Sequence, residues 1–452
     1  MGVVLSVLYF ITYYLTPATV FGPLAAFRIE LILAAIILFV SLPALMRSFI
    51  GKTPQTLALI GLAFAVLLSV VIGEHWPGGG VQAFLSFIPN AFAYFLVCLH
   101  CNSKKKLRVL VLMLVGICLF VIAHGANGTL NAPEGVSPNG EMTNPYVLAM
   151  GGGESVLYRL RGLGEINDPN DFAQLIVCTI PLVFIFWTPK HAAKNFLCVL
   201  LPVCALLFGA FLTHSRGAML AILAMAVVAG RRRIGTIPSL LLAAGLFAGA
   251  SALNFTGGRD ISANAGSDRT ALWGTGLELL KSHPLFGVGF GNFADYAGLT
   301  AHNSVVVCAA ELGMFGLYFW ALFLFPTMRD ALAIASPEKV TEVQPVIIET
   351  ARFPQMQANI EAIDKADVNR LGHLMVVSLT GFLVAAWFLS RAFILTLFLL
   401  GGMAEVVFEM ALRRGMISPR LPLTRVLRNA GGLAITLVLL MYILLRTVNL
   451  MH

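Results

Sequence analysis

Four short elements in the middle of the chain carry the residue types that grip phosphate and move protons. Arg159 and Arg161 lie in YRLRGLGEINDPND, just ahead of an Asp-Pro-Asn-Asp step, and Arg216 completes Thr-His-Ser-Arg at 213–216. Arg269 follows Gly-Ser-Asp and opens a helical pattern of Ala271, Leu272, Trp273, Leu277 and Leu280 that runs to Lys281. His302 and Asn303 stand at the mouth of a long apolar run. An arginine fork donates two parallel hydrogen bonds to phosphate oxygens, which suits it to a diphosphate. A neutral imidazole at a membrane boundary can accept the proton of an attacking hydroxyl. Together these types describe an anion pocket equipped with a general base.

Plainer roles are open to several of them. Arg28, Arg391 and Arg446 read as side chains that snorkel to lipid phosphate, and Arg259 fits either role. Pro169 and Asn170 are set to make a tight turn, with Asp171 capping a helix that begins at Phe172. Asp168 and Asp171 either orient Arg161 or shape that turn, and the structural role is preferred. Asp268 fits a helix cap and Trp273 an interfacial anchor. His75, His124, His191, His283 and His373 read as ordinary loop or interface side chains. In HPLFGVGFGNF, Gly287, Gly289 and Gly291 predict a compact turn with positive φ.

The elements that position these residues belong in a bilayer. Of 452 residues 58% are hydrophobic and 12% charged, a balance that a water-soluble core of this size does not need. Apolar runs long enough to cross as helices recur at about 2–20, 27–46, 55–72, 81–99, 107–124, 172–187, 196–212, 217–230, 236–253, 304–326, 371–389, 392–411 and 430–447. None alternates polar and apolar as a barrel strand must. The expected fold is therefore an all-α polytopic membrane helix bundle of about 12–14 transmembrane helices. The first run has no basic segment or small-residue cleavage site and reads as a retained span.

With the N-terminus in the cytoplasm, twenty-one of the thirty lysines and arginines fall inside, as the positive-inside rule requires. The net charge of +8 is then a topology signal and an attraction to anionic membrane lipids, with no argument for nucleic acid. Two long loops, 125–171 and 254–303, face outward, the first beginning with a flexible GANGTLNAPEGVSPNG. The chain thus divides into N-terminal transmembrane helices at 1–124, the first outer loop at 125–171, a core at 172–326, a cytoplasmic loop at 327–370 and C-terminal transmembrane helices at 371–452. The cytoplasmic loop carries an amphipathic ETARFPQMQANIEAIDKADVNR that reads as a surface helix or a solvated linker. All seven cysteines lie in or at the ends of apolar runs and imply no disulfide framework. Cys98, His100 and Cys101 form a C-x-x-C segment that reads as buried residues at a helix end ahead of a redox or metal pair.

The motifs THSRGA, SDRTALW, HPLFGVGFGNF and AHNS followed by ELGMFG resemble, in that order, the O-antigen ligase and polymerase superfamily. The resemblance covers residues 155–326. It implies a fold like that of the C-type membrane glycosyltransferases and transfer of a glycan from undecaprenyl diphosphate to an acceptor hydroxyl. The acceptor it implies is lipid A core or another lipid-linked glycan. By the same resemblance the reaction is inverting and needs no metal or other cofactor, and the active site faces the periplasm from the bacterial inner membrane. Other polysaccharide assembly proteins are partners it allows. Carried onto this chain, it makes Arg161 and Arg269 the diphosphate-binding arginines and His302 the catalytic histidine. Arg159, Arg216, Asp168, Asn303 and Trp273 complete the expected site. Two other classes compete: a transporter of a bicarbonate-like anion and a non-catalytic partner in polysaccharide assembly. A transporter should carry ionisable groups near the midplane, whereas Glu405 and Glu409 lie toward the inner end of their span.

Overall fold

The computed structural model describes residues 1–17, 29–47, 53–131, 144–150, 156–257, 264–336 and 365–451. Its helices are α1 (Gly2–Leu15), α2 (Ile29–Arg47), α3 (Pro54–Gly73), α4 (Pro77–His100), α5 (Lys104–Leu130), α6 (Pro169–Phe186), α7 (Ala192–Leu212) and α8 (Arg216–Ile234). They continue as α9 (Thr236–Ala252), α10 (Asn264–Ser282), the short α11 (Phe293–Ala297), α12 (Ser304–Ala335), α13 (Lys365–Ala386), α14 (Leu395–Arg413) and α15 (Leu423–Met451). Between α5 and α6, β1 (Val147–Met150) and β2 (Leu157–Leu160) form an antiparallel hairpin.

Among the described residues, nine helices are long and apolar enough to cross a membrane: α3 to α7 and α12 to α15. Three further apolar helices, Gly2–Leu15, Leu31–Met46 and Thr236–Ala252, are shorter. Helix α8 is long enough, but Arg216 and Arg231 to Arg233 at its two ends raise its charge. In their described residues all thirteen apolar runs lie on helices, nine of them of spanning length and apolarity where 12–14 spans were expected, and the protein is an all-α polytopic membrane bundle. Large apolar side chains such as Phe39, Leu241 and Ile443 stay exposed on it, as a hydrocarbon solvent permits.

The chain folds into two compact units that alternate along the sequence, Met1–Met46 with Leu99–Arg259 and Asn359–Ala385, and Arg47–Cys98 with Asp260–Ala358 and Ala386–His452. In the first unit α5, α6 and α7 pack together, α8 lies on α6 and on α9, and the hairpin rests on α5. Helix α5 runs to Leu130, well past the end of its apolar run at residue 124. The glycines in that extension do not stop the helix. Glycine weakens a helix by only about 1 kcal/mol, and a Cβ on Gly125 would strike the Leu160 side chain at 2.2 Å. The bare backbone there is where the hairpin seats. Of the stretch expected to be flexible, residues from 132 onward lie outside the described residues.

In the second unit α12 is the hub, packed by α3, α10, α14 and α15. Most of the cytoplasmic loop expected at 327–370 lies outside the described residues, but α12 extends to Ala335 on one side and α13 starts at Lys365 on the other. Cys101, in the short link between α4 and α5, is buried, and burial pushes its thiol up to about 12. A thiol held that high is a poor nucleophile at neutral pH, and Cys98 and Cys101 are both buried, which favours the packing role.

Candidate active site

The first unit holds Arg159, Arg161, Asp168 and Arg216. Register in the hairpin sets Arg159 opposite Leu148 and one residue from the end of β2. Arg159 is 1% exposed, and its guanidinium is used in three directions. Nε donates to the Thr213 carbonyl at 2.7 Å, one terminal amine reaches the Met150 sulfur at 3.1 Å and the other donates to Asn170 Oδ1 at 2.9 Å. It therefore clasps the hairpin, the start of α6 and the Thr-His-Ser-Arg turn to one another. Arg159→Ala is expected to strand the Thr213 carbonyl and the Asn170 amide, lowering stability by about 1–3 kcal/mol. Thermal unfolding of the purified variant checks this, and Arg159→Lys should not rescue it, since one ammonium cannot span three directions.

Arg161 is placed differently. Its backbone N–H donates to the Tyr146 carbonyl at 2.9 Å and its Nε to the Pro145 carbonyl at 3.1 Å. That fixes the stem of a partly exposed side chain. Its two terminal amines make no hydrogen bond or ion pair among the described residues. Of the two hairpin arginines, Arg161 is the one equipped to receive an anion.

The start of α6 corrects the expected cap. The helix begins at Pro169, one turn earlier than Phe172, and Asp168 is its N-cap, accepting from the Asn170 N–H at 2.7 Å. Proline suits the first helical position because its φ is preset and that N–H has no partner in any helix. The pair Pro169 and Asn170 thus starts the helix instead of making a separate turn, and Asp171 is buried in its first turn. Asp168 holds the helix end, in line with the structural role preferred for it.

The turn between α7 and α8 is built the same way. Ser215 caps α8 through the Ala218 N–H, and Thr213 Oγ1 donates to the Ala210 carbonyl at 2.7 Å. His214 adopts a left-handed φ of 48°, stabilised by its Nδ1–H donating to the Phe255 carbonyl at 3.0 Å. Arg216, the first residue of α8, is partly exposed.

The second unit holds Arg269, Trp273, His302 and Asn303. Arg269 lies on α10 one turn before Trp273, so the two share a helix face. The Trp273 indole N–H donates to the Ala301 carbonyl at 2.9 Å, and its ring meets Trp387 edge-on at 6.2 Å. Ala301 is the residue before His302. The arginine helix and the histidine are therefore tied to one framework, with Trp273 as the tie.

His302 itself has φ 50°, a left-handed conformation that costs an L-residue about 1–2 kcal/mol. The segment between α13 and α14 offsets that cost. Ser390 Oγ accepts the His302 N–H at 2.7 Å, Ser304 Oγ donates to the Leu389 carbonyl at 2.6 Å, and the Arg391 N–H donates to Ser304 Oγ at 3.1 Å. Asn303 caps α12, its Oδ1 accepting from the N–H groups of Val305 and Val306. With the oxygen committed, its buried Nδ2 is left as a donor with no partner among the described residues.

The glycine turn locks into the same helix. Gly313, at φ 64° and ψ −167°, breaks α12. The carbonyls of Ala310 and Glu311 accept the N–H groups of Val288 and Gly289, while Met314 and Phe315 donate to the carbonyls of Pro284 and Leu285. The broken helical bonds are thus replaced one for one by the turn. The buried Glu311 carboxylate accepts from the Phe293 N–H at 3.3 Å. Gly287, Gly289 and Gly291 all have positive φ, as expected. A Cβ on Gly287 would lie 2.3 Å from the Glu311 carbonyl, whereas one on Gly291 would meet nothing within 4 Å. Gly287→Ala should therefore lower the unfolding midpoint clearly more than Gly291→Ala, which adds only backbone strain of about 1 kcal/mol. Equal midpoints would remove the packing argument.

Sequence reasoning missed Trp387, Leu389 and Ser390, and it placed Glu311 in a motif without assigning it a task. A serine and a tryptophan in a short link between two spans were the available signal. Arg28, Arg259 and the side chain of Asp268 lie outside the described residues. No curated protein matches the chain. Residues 201–321, which run from α7 through α12 and include Arg216, Arg269, Trp273, His302 and Asn303, match the family model described as O-antigen ligase, so that this stretch of the membrane protein is similar to that family.

Proposed function

We propose that the protein moves a glycan from undecaprenyl diphosphate to an acceptor hydroxyl at the periplasmic face of the bacterial inner membrane, as a polymerase or ligase of surface polysaccharide. The observation that supports this reading is the Trp273 bond to Ala301, which ties the helix of Arg269 to the residue before His302. The sugar C1 of such a donor already bears its leaving group. Two tasks remain, holding the charge that develops on the diphosphate and removing the acceptor proton.

Arg269 performs the first by electrostatic stabilisation of the departing diphosphate, without a metal, and the resemblance assigns Arg161 the same ligand. His302 accepts the hydroxyl proton as the oxygen attacks C1, the C1–O bond to diphosphate breaks on the opposite side, and the anomeric configuration inverts. Asn303 Nδ2 is a donor for the substrate beside the base, and Arg216 supports the diphosphate at the start of α8. Arg159, Asp168 and Trp273 act as positioning residues.

The transporter reading finds less support. Glu405 is ion-paired with Arg420, which also binds Asp330 at 2.7 Å, and Glu409 faces Arg413 at 3.8 Å. These carboxylates are neutralised where they stand. The test is to incubate purified protein with one lipid-linked repeat unit, with and without a lipid A core acceptor. Chain growth identifies a polymerase and capping of the core a ligase. Absence of both products, with anion flux into vesicles that survives His302→Ala, would replace the proposal with transport.

A further inference from the structure

Within the first unit, the start of α5, the end of α6 and the start of α13 meet, and the charges of their described residues do not balance. Buried Lys104 forms an ion pair with Asp367. Arg370 reaches the other oxygen of that carboxylate at 2.9 Å and the Trp187 carbonyl at 3.1 Å. Arg108 donates to the Ile185 carbonyl at 3.5 Å and lies close enough to Asp367 to act on its charge. Among the described residues, two cations pair with this one carboxylate and a third, Arg108, lies near it. The carbonyl end of α6 adds only about half an elementary negative charge, which leaves these described groups net positive.

A second observation is independent of the charge count. The Nε–H groups of Arg108 and of Arg370 are both buried, and neither has a hydrogen-bond partner among the described residues. Cations placed by the positive-inside rule alone satisfy their donors with water; here two guanidinium donors are withdrawn from it without an acceptor. The missing element is an anion that accepts several hydrogen bonds, and a phosphate group fits that description.

We propose that Lys104, Arg108 and Arg370 form a binding site for a phosphate group, distinct from the glycan-transfer residues and on the side that the charge asymmetry assigns to the cytoplasm. Two sources carry that chemistry, the headgroup of an acidic phospholipid and free phosphate. The site does not depend on the proposed reaction, so its test uses binding.

The full-length protein, purified in phosphate-free detergent, is titrated with inorganic phosphate against sodium chloride of equal ionic strength, reading the unfolding midpoint. In parallel, it is placed in nanodiscs of phosphatidylcholine alone or mixed with phosphatidylglycerol, and retained lipid is read by native mass spectrometry. A rise in midpoint with phosphate marks a site open to the free anion, and selective retention of phosphatidylglycerol marks a headgroup site; either supports the proposal. Arg108→Gln and Arg370→Gln keep a donor near the α6 carbonyls but lose the charge, and each should weaken binding about fivefold. If the parent protein prefers neither phosphate over chloride nor phosphatidylglycerol over phosphatidylcholine, the site does not exist. Binding unchanged in the double variant would overturn it equally. Should the double variant fail to fold, the two parent comparisons decide by themselves.

Discussion

His302→Ala is expected to reduce glycan transfer by roughly 10²–10⁴-fold, the range that loss of a positioned general base removes. Backbone geometry complicates that single variant. His302 sits at φ 50°, where alanine is strained, so a loss in His302→Ala mixes conformation with chemistry. Asparagine tolerates the left-handed region and keeps the N–H that Ser390 accepts. His302→Asn should therefore restore the unfolding midpoint toward that of the parent but leave transfer as low as in the alanine variant. Full transfer by His302→Asn, in protein inserted at normal level, would show that the imidazole takes no proton, and the assignment would fall.

That comparison works because the framework around His302 is separable from its ring, a distinction the sequence conceals. Apolar runs announce themselves, since a bilayer demands about twenty apolar residues wherever a helix crosses. Each of the thirteen falls on a helix in its described residues, and nine of those helices meet that demand in full. The hairpin of β1 and β2 is four residues per strand, too short to show a period of two, and its partner helix is marked only by glycines. Asp168 and Asp171 are both acceptable caps three residues apart; the preset φ of Pro169 chose between them, and that signal was present but read as a turn. Arg159 and Arg161 are alike in sequence, and only the placement of their guanidinium groups separates the clasp from the exposed fork. The support from Leu389, Ser390 and Arg391 runs through main-chain groups and one hydroxyl, which leave no pattern in the sequence far from position 302.

Arg269→Gln is expected to lower transfer by about 10²–10³-fold, the usual consequence of removing one preorganised donor from a developing negative charge. The fall should appear mainly in kcat, because the diphosphate gains most of its charge as the C1–O bond breaks and the arginine's hold strengthens with it. Arg269→Lys tests the geometry of that hold. A lysine keeps the charge and loses the fork, so recovery should be partial if the guanidinium grips two oxygens together. The tie to His302 can be tested apart from the charge. Trp273→Phe retains an aromatic ring against Trp387 and deletes only the donor to the Ala301 carbonyl. If that bond sets the distance between the diphosphate grip and the base, Trp273→Phe should cost kcat while donor binding stays near the parent value, and combining it with Arg269→Gln should cost less than the two effects summed. Strict additivity would mean that Trp273 does not act through Arg269 and His302. Undiminished transfer by Arg269→Gln would remove the guanidinium from the reaction altogether.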